Sequence, residues 1–452
     1  MRKSNLLSII KKNDINILKH TLNNVHPYDI ANIFPLFDEE DRLKIYKVFN
    51  DEKLAEIFSY FDDARKYLEE LDKSKAASII TNMEPDDATD VISDLDPSFS
   101  KEIYNLLEKD TKDEIENLVK HEEGTAGAIM NSNYIWLESG IDVKLAMKKI
   151  VTEAPEVEDI NTSFVIDNIG RLIGTLDLKR LIITKSPCII DTIMNTNFKS
   201  VSVDDDVEDA IKIISNYDIY DLPVLENGIL KGIITMDDAA DAMVDEAEED
   251  YAKFAGLTED EEQDESVIQS VKKRIIWLAI LLVLDIIVSI IISQFEYIYE
   301  VDSLTILVAF QPVILGLAGN CGTQSLAVSV RRIANEELET RKQGFKFLLK
   351  ELLNGSITGL ILGVVGFSLT ITMLLLKDYT SPLLLSIPTV VSLSIFGSLT
   401  LANLFGGLIP IIFYRCKIDP AFASGPFITT INDIISIIIY FVLATLLIYN
   451  FI

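Results

Sequence analysis

Side chains that bind soft metals or carry redox chemistry are scarce: 452 residues hold three His and three Cys. Cys188, Cys321 and Cys416 lie far apart, form no Cys-x-x-Cys pair and have no His beside them. That pattern excludes a disulfide framework and a zinc site and points to a reducing compartment. The apolar stretch within Met1 to Ile10 is too short for a signal peptide, so the first half of the chain is expected to stay in the cytosol.

Positive charge is also short. Lys and Arg number 40 against 70 Asp and Glu, a net charge of −30. The deficit is confined to residues 1–270, which carry 59 acidic and 28 basic residues, an excess of 31 negative charges; the remainder holds 11 and 12. Such a field repels nucleic acid and anionic lipid headgroups, and leaves cations as the charged partners it suits. The same 270 residues contain no apolar run of bilayer length, yet are enough for two domains with cores at roughly 150 residues each.

What is present begins after residue 270. Five segments, near 275–294, 304–329, 352–376, 384–413 and 421–449, meet the need for about 20 mostly apolar residues. Lys272, Lys273 and Arg274 precede the first. Arg331, Arg332, Arg341, Lys342, Lys346 and Lys350 follow the second, and Arg415 and Lys417 precede the fifth; the other two loops hold only Lys377. By the positive-inside rule the soluble part faces the cytosol and the C-terminus faces out, in a multi-pass protein of the plasma membrane in contact with lipid.

Asp433 lies within the fifth run. A carboxylate near mid-bilayer costs about 3 kcal/mol on insertion scales unless it meets water, a partner or a cation. Helical spacing sets Thr429 and Thr430 on its face, so two hydroxyls and a carboxylate form one stripe of oxygen donors, the set a hard cation such as Mg2+ prefers. Asp285, in the first run, is a second intramembrane acid; a structural contact and a water-filled groove are its two readings. Gly355, Gly359, Gly363 and Gly366 predict close helix packing in the third run. Gly316, Gly319 and Gly322 in the second stand among Asn320, Thr323 and Gln324, polar groups that packing alone does not require, and the run reads as a non-helical pore wall.

Residues 125–245 contain a repeat of about 60 residues. Ile129-Met130-Asn131 returns as Ile193-Met194-Asn195, and Gly170-Arg-Leu-Ile-Gly174 as Gly228-Ile-Leu-Lys-Gly232; each Gly pair leads to an acidic helix start, at Asp177 and at Asp237-Asp238. Periodicity predicts helix, strand, strand, helix in each unit, with helices over Val143–Ile150 and Val207–Ile214 and strands at Ser163–Ile166 and Leu222–Leu225. This resembles a tandem pair of CBS domains, a regulatory module that binds small ligands or ions. Residues 25–122 instead read as short amphipathic helices between acidic turns, Asp38 to Asp41, Asp62-Asp63, Pro85 to Asp87 and Asp96-Pro97, and predict a superhelix of hairpins whose acids serve in part as helix N-terminal charge.

The order of these parts resembles the MgtE family of magnesium channels and transporters over essentially the whole chain. The motifs that carry the likeness are Pro312-Val-Ile-Leu-Gly-Leu-Ala-Gly-Asn320, Gly322-Thr-Gln-Ser325 and Arg331, then Asp419-Pro420, Pro426, Thr430 and Asp433, then Trp277-Leu278 and the stretch Glu246 to Gly256. The resemblance implies a multidomain protein: a helical acidic domain over 1–124, CBS units over 125–187 and 188–245, an acidic linker helix over 246–270 that plugs the pore, and five membrane helices over 271–452. It also implies a homodimer with the pore on its two-fold axis. Asp433 is then the pore ligand for Mg2+, with Gly316, Gly319, Asn320, Gly322, Pro426, Thr429 and Thr430 lining the path. Sensor ligands carried over by position are Asp90, Asp94, Asp218, Asp238, Asp241, Glu246, Glu249 and Asp250. The expected activity is Mg2+ uptake through a channel that closes when cytosolic Mg2+ binds the acidic domains, without catalysis.

Three alternatives stand beside that reading. An intramembrane aspartyl protease using Asp285 and Asp433 lacks the Gly-x-Gly-Asp setting and leaves the acidic domains unexplained. A coupled carrier for Mg2+ or another divalent ion shares every sequence feature of a pore. An adenine nucleotide is a further possible ligand of the CBS pair. The acidic run Glu259 to Glu265 reads as a solvated turn.

Overall fold

The computed structural model describes residues 19–451 apart from 21, 23, 62, 123, 158, 259–265, 299–301 and 378–382; the Met1 to Ile10 stretch, Asp62 and the acidic run 259–265 therefore lie outside the described residues. The chain separates into two compact units, Met1–Val244 and Asp245–Ile452.

The first unit begins with short helices, among them Glu39–Val48, Asp51–Phe58, Lys73–Thr81, Pro85–Asp94 (α1) and Pro97–Leu106. Their acidic turns are largely start signals: Asp38 accepts a hydrogen bond from the Asp41 amide and Asp72 from the Lys75 amide, and Pro85 and Pro97 open their helices. Apolar residues at helical spacing bury Phe34, Leu54, Ile57 and Phe58 completely. The Phe34 ring meets Tyr46, Phe61 and Tyr67 at 5.2–5.6 Å between centroids, an aromatic cluster in which Phe34, Tyr46 and Tyr67 are buried and Phe61 is partly so. At its edge Glu70 pairs with Arg42 and accepts the Tyr46 hydroxyl at 3.0 Å, so the buried charges are matched.

Two three-stranded sheets follow, β1 (Trp136–Glu138), β2 (Thr162–Ile166) and β3 (Leu172–Asp177), then β4 (Val201–Ser202), β5 (Asp221–Glu226) and β6 (Ile229–Thr235). In each sheet the first strand runs parallel to the second and the second antiparallel to the third. Each repeat is thus strand, helix, strand, strand, helix, and the expected pattern lacked its leading strand. At three and two residues those strands are too short to show an alternation.

The repeated motifs have a shared cause. Asn195 of the second Ile-Met-Asn segment pairs with Thr175 of β3, and Asn131 of the first pairs with Ile233 of β6, so each segment joins the other repeat's sheet. A Cβ on Gly174 would lie 2.6 Å from Met194 Sδ, and one on Gly232 would lie 2.8 Å from Met130 Sδ. The glycines recur because a methionine from the opposite repeat fills the space.

From β6 the chain enters one helix, α2 (Met236–Ala255), which runs without a break through 245 and 246, where the linker was expected to begin. Gly256, at φ +82°, ends it: the Leu257 amide donates to the Ala252 carbonyl at 2.9 Å and the Gly256 amide to Lys253 at 3.0 Å. This six-to-one and five-to-two pairing needs a left-handed residue, which glycine supplies without strain.

In the second unit five helices are long and apolar enough to cross a membrane. They are α3 (Val267–Ser293), α4 (Gln311–Ala334), α5 (Arg341–Leu376), α6 (Leu383–Arg415) and α7 (Gly425–Phe451). Several start before the apolar runs do. In α5, Thr340 and Gln343 form a reciprocal cap that starts the helix among Lys and Arg. A Cβ on Gly355, Gly359 or Gly363 would stand 2.7–3.0 Å from the carbonyl oxygens of Leu399, Phe396 and Ser392 on α6. The glycine stripe therefore brings two backbones together, as expected of small residues in lipid, where apolar burial no longer drives association. Ser325 and Ser329 of α4 donate to the carbonyls of Asn403 and Gly407 on α6 at 2.7 and 3.0 Å.

Candidate functional site

The candidate pore residues lie on α4 and α7. The run Gly316 to Gln324 is helical throughout, which corrects the expectation of a non-helical wall. Its glycines pack instead of breaking the helix: a Cβ on Gly319 would lie 2.8 Å from Thr429 Cγ2, and one on Gly322 only 1.9 Å from Asn432 Nδ2. One face of α4 thus seats on α7, while Gly316, Asn320 and Gln324, four residues apart, stay exposed in the single chain.

On α7 the hydroxyls of Thr429 and Thr430 donate to the carbonyls of Gly425 and Pro426 at 2.9 and 3.0 Å, so their oxygens keep lone pairs with which to accept. Thr430 is buried, whereas Thr429 and Asp433 are half-buried. Asp433 Oδ1 is buried and makes no hydrogen bond. Asp285 of α3 stands near enough to act on Asp433 electrostatically. Asn432, which the sequence reading passed over, is 1% exposed with neither amide atom hydrogen-bonded. Its position next to an acid gave no signal, because only its packing against Gly322 sets it apart.

The soluble acids divide by location. Glu84 accepts from Asn133 at 3.1 Å, and both Glu84 and Asp86 accept from Asn131 at 3.4 Å, which ties the start of α1 to the repeat domain. Burial first, then the charges of Asp238, Asp90 and Glu84, pushes the Asp87 carboxyl up to about 7. Asp238 is likewise raised, first by burial, although Thr235 Oγ1 donates to it at 2.5 Å. Tyr60, raised by burial, also feels Asp237, Asp241 and Asp87. Asp87, Asp90, Asp237, Asp238 and Asp241 therefore form one acidic face shared by α1 and the start of α2. Asp87 and Asp237 were not among the expected ligands. The spacing of Asp87, three residues before Asp90, places both on one helical face, but its position in the first turn reads equally as start charge.

Other expected ligands lie elsewhere. Asp94 is exposed near the end of α1, and Asp218 is exposed at φ 51°, ending the helix Val207–Tyr217 in the left-handed conformation that Asp tolerates well. Glu246, Glu249 and Asp250 lie in the second half of α2, and Glu249 pairs with Lys253 at 2.8 Å. Among the described residues no three His, Cys, Asp or Glu converge as a ready cage. A Mg2+ ion that keeps much of its water shell needs only one or two carboxylates, so oxygen-only acidic faces of this kind fit it and exclude a zinc-type site.

Comparison with known proteins adds to this geometry. Residues 311–443 match the profile of the MgtE divalent cation transporters, 25–124 the MgtE intracellular N domain, and 190–245 the CBS domain. The magnesium transporter MgtE of Enterococcus faecalis is 36% identical over 334 residues, 74% of this chain and 71% of the relative. That of Thermus thermophilus is 34% identical over 73% and 71%. A crystal structure of the soluble part of a magnesium transporter, 31% identical, superposes with a TM-score of 0.52 over 54% of this chain and 98% of its own. The cytosolic domain of the Mg2+ channel MgtE in complex with ATP, 29% identical, gives 0.51 over 53% of this chain and its own full length. With a helical N domain, a CBS pair and five apolar helices in this order, the chain belongs to the MgtE family and is a multi-pass membrane protein of the magnesium transporter class.

Proposed function

We propose that this protein is a Mg2+-selective channel for uptake across the plasma membrane, closed by Mg2+ on its cytosolic side. The observation that carries the reading is Asp433: an intramembrane carboxylate with an unbonded buried oxygen, one turn from a threonine hydroxyl, on a helix whose Thr429 and Asn432 pack on the glycines of α4. The exposed faces of the single chain support a homodimer in which two such acids flank a two-fold axis, surrounded by membrane lipid. Two carboxylates so placed repel, and a hydrated dication removes that repulsion without giving up its water shell. Pro426, Thr429 and Thr430 with Gly316, Gly319, Asn320 and Gly322 form the surrounding wall.

A dication entering a negative-inside cell gains about 4.6 kcal/mol per 100 mV, twice the value for one charge, so an unregulated pore overloads the cell. The acidic face of Asp87, Asp90, Asp237, Asp238 and Asp241 is the regulatory counterpart: Mg2+ bridging α1 to α2 holds the soluble part closed, and loss of the ion lets like charges separate. Asp94, Asp218, Glu246, Glu249 and Asp250 are additional sensor positions by family likeness. The soluble part lies in the cytosol and the C-terminus outside, from the distribution of Lys and Arg. An adenine nucleotide is a second ligand of the CBS pair, a reading supported by the ATP complex of the 29% identical relative. Single-channel recording of reconstituted protein tests the function. Unitary Mg2+ currents that fall as Mg2+ rises on the cytosolic face are expected; flux without unitary events identifies a carrier.

A further inference from the structure

Where α2 stops, its last turn is seated on the segment that leads into α7. Phe254 packs against the buried cluster of Leu326, Ala423 and Ile428, and a Cβ on Gly256 would lie 3.3 Å from Pro426. Within this apolar contact sits one cation. Lys253 Nζ donates to Asp419 Oδ2 at 2.8 Å, a bond across 166 residues of sequence, and pairs with Glu249 Oε1 at 2.8 Å. Its side chain is 15% exposed and lies over the Phe422 ring at 5.6 Å. Asp419 uses its other oxygen to cap the Pro420–Phe422 turn, accepting from the Ala421 amide at 2.8 Å.

We propose that Lys253 is a positioning residue, a built-in counter-ion that holds the end of α2 against the cytosolic lead-in of α7 and sets the Mg2+ concentration at which the pore closes; this rests on the gated-channel reading above. Glu249 and Asp419 both lie within bonding distance of one ammonium group, so they are near each other. Without that group two carboxylates face across a half-buried contact and push the helix end away, unless a divalent cation takes the vacated place. Lys253 thus performs with a covalently attached charge the bridging that Mg2+ performs between acidic faces elsewhere. The segment it grips ends at Gly425, eight residues before Asp433, so displacement of the grip reaches the start of the pore helix.

The test uses the full chain reconstituted in liposomes, with two readouts. In a background with Cys188 and Cys416 replaced by Ser, Phe254→Cys reports by maleimide labelling whether the end of α2 is seated. Mg2+ flux against cytosolic Mg2+ reports closure. Lys253→Met is expected to raise both the labelling rate and the Mg2+ needed for half-closure by about fivefold, the scale of one charge-assisted hydrogen bond lost from a partly exposed site. Lys253→Arg is expected to behave as the parent. Lys253→Met with Asp419→Asn is expected to recover much of the seating, because the repulsion is gone. Parental labelling and parental closure in Lys253→Met overturn the proposal. Faster labelling together with parental flux that ignores cytosolic Mg2+ leaves the seating contact standing and removes the gated-channel reading instead.

Discussion

At the scale of single residues, two acids with unlike surroundings carry the functional argument. Asp433 is placed in the membrane by a helix whose neighbours are apolar, and its unbonded oxygen needs a cation or water. Asp433→Ala is expected to abolish Mg2+ flux while leaving a folded protein; full flux in a variant that elutes as the parent does would remove Asp433 from the pore. Gly319→Leu is expected to block flux by forcing α4 off Thr429, at a stability cost of about 1–3 kcal/mol for overpacking. Unchanged conductance would mean that this contact lies outside the conduction path.

Asp87 makes a pH prediction. Its carboxyl titrates near 7 in the folded unit and near 4 in the unfolded chain, so between those values the folded state holds a proton that the unfolded state has lost. Stability in chelator should therefore fall as pH rises from about 4 to about 7, by on the order of 1 kcal/mol per pH unit. Mg2+ should oppose the fall, since it stabilises the ionised form. Urea unfolding of residues 1–265 at pH 5 and pH 7.5 checks this, and Asp87→Asn should flatten the slope. An equal slope in that variant would assign the effect to other acids.

At the scale of elements, α2 is one continuous helix whose first turns carry Asp237, Asp238 and Asp241 and whose last turn is stopped by Gly256, with Phe254 packed against Ala423 and Ile428. A helix transmits displacement along its axis because every turn is hydrogen-bonded to the next. Neutralising Glu246, Glu249 and Asp250 together, as Gln, Gln and Asn, is expected to leave the pore open at high cytosolic Mg2+ with conduction through Asp433 intact. The single changes should be weaker, because neighbouring carboxylates still share an ion. A triple variant that closes at the parental Mg2+ concentration would locate sensing in the Asp87 to Asp241 face alone. The five apolar helices were legible as elements, but their starts were not: a cap such as Thr340 with Gln343 extends a helix through charged residues that hydropathy assigns to a loop.

At the scale of the whole molecule, charge and hydropathy are segregated. An excess of 31 negative charges precedes a near-neutral apolar part, and the proposed sensing predicts that cations relieve the self-repulsion of the first. Residues 1–265 are expected to contract in small-angle scattering and to resist protease as Mg2+ rises into the millimolar range, on the order of 10⁻³ M for weak carboxylate sites. The same contraction in monovalent salt of equal ionic strength would identify general screening as the cause.

The sequence by itself determined what depends on neighbours along the chain. Apolar run length marked the five spans, the 60-residue repeat marked the CBS pair, and the depth of Asp433 marked an intramembrane acid that calls for a partner, because each follows from composition or period within a short window. Tertiary structure alone decided which distant groups meet. Asp87 faces Asp238, each Ile-Met-Asn segment joins the opposite repeat's sheet, Gly322 receives Asn432, and Lys253 reaches Asp419. No local pattern encodes these pairs, since an acid at a helix start or a glycine in a helix satisfies local rules equally well with or without its partner; packing of whole elements selects which side chains share a space.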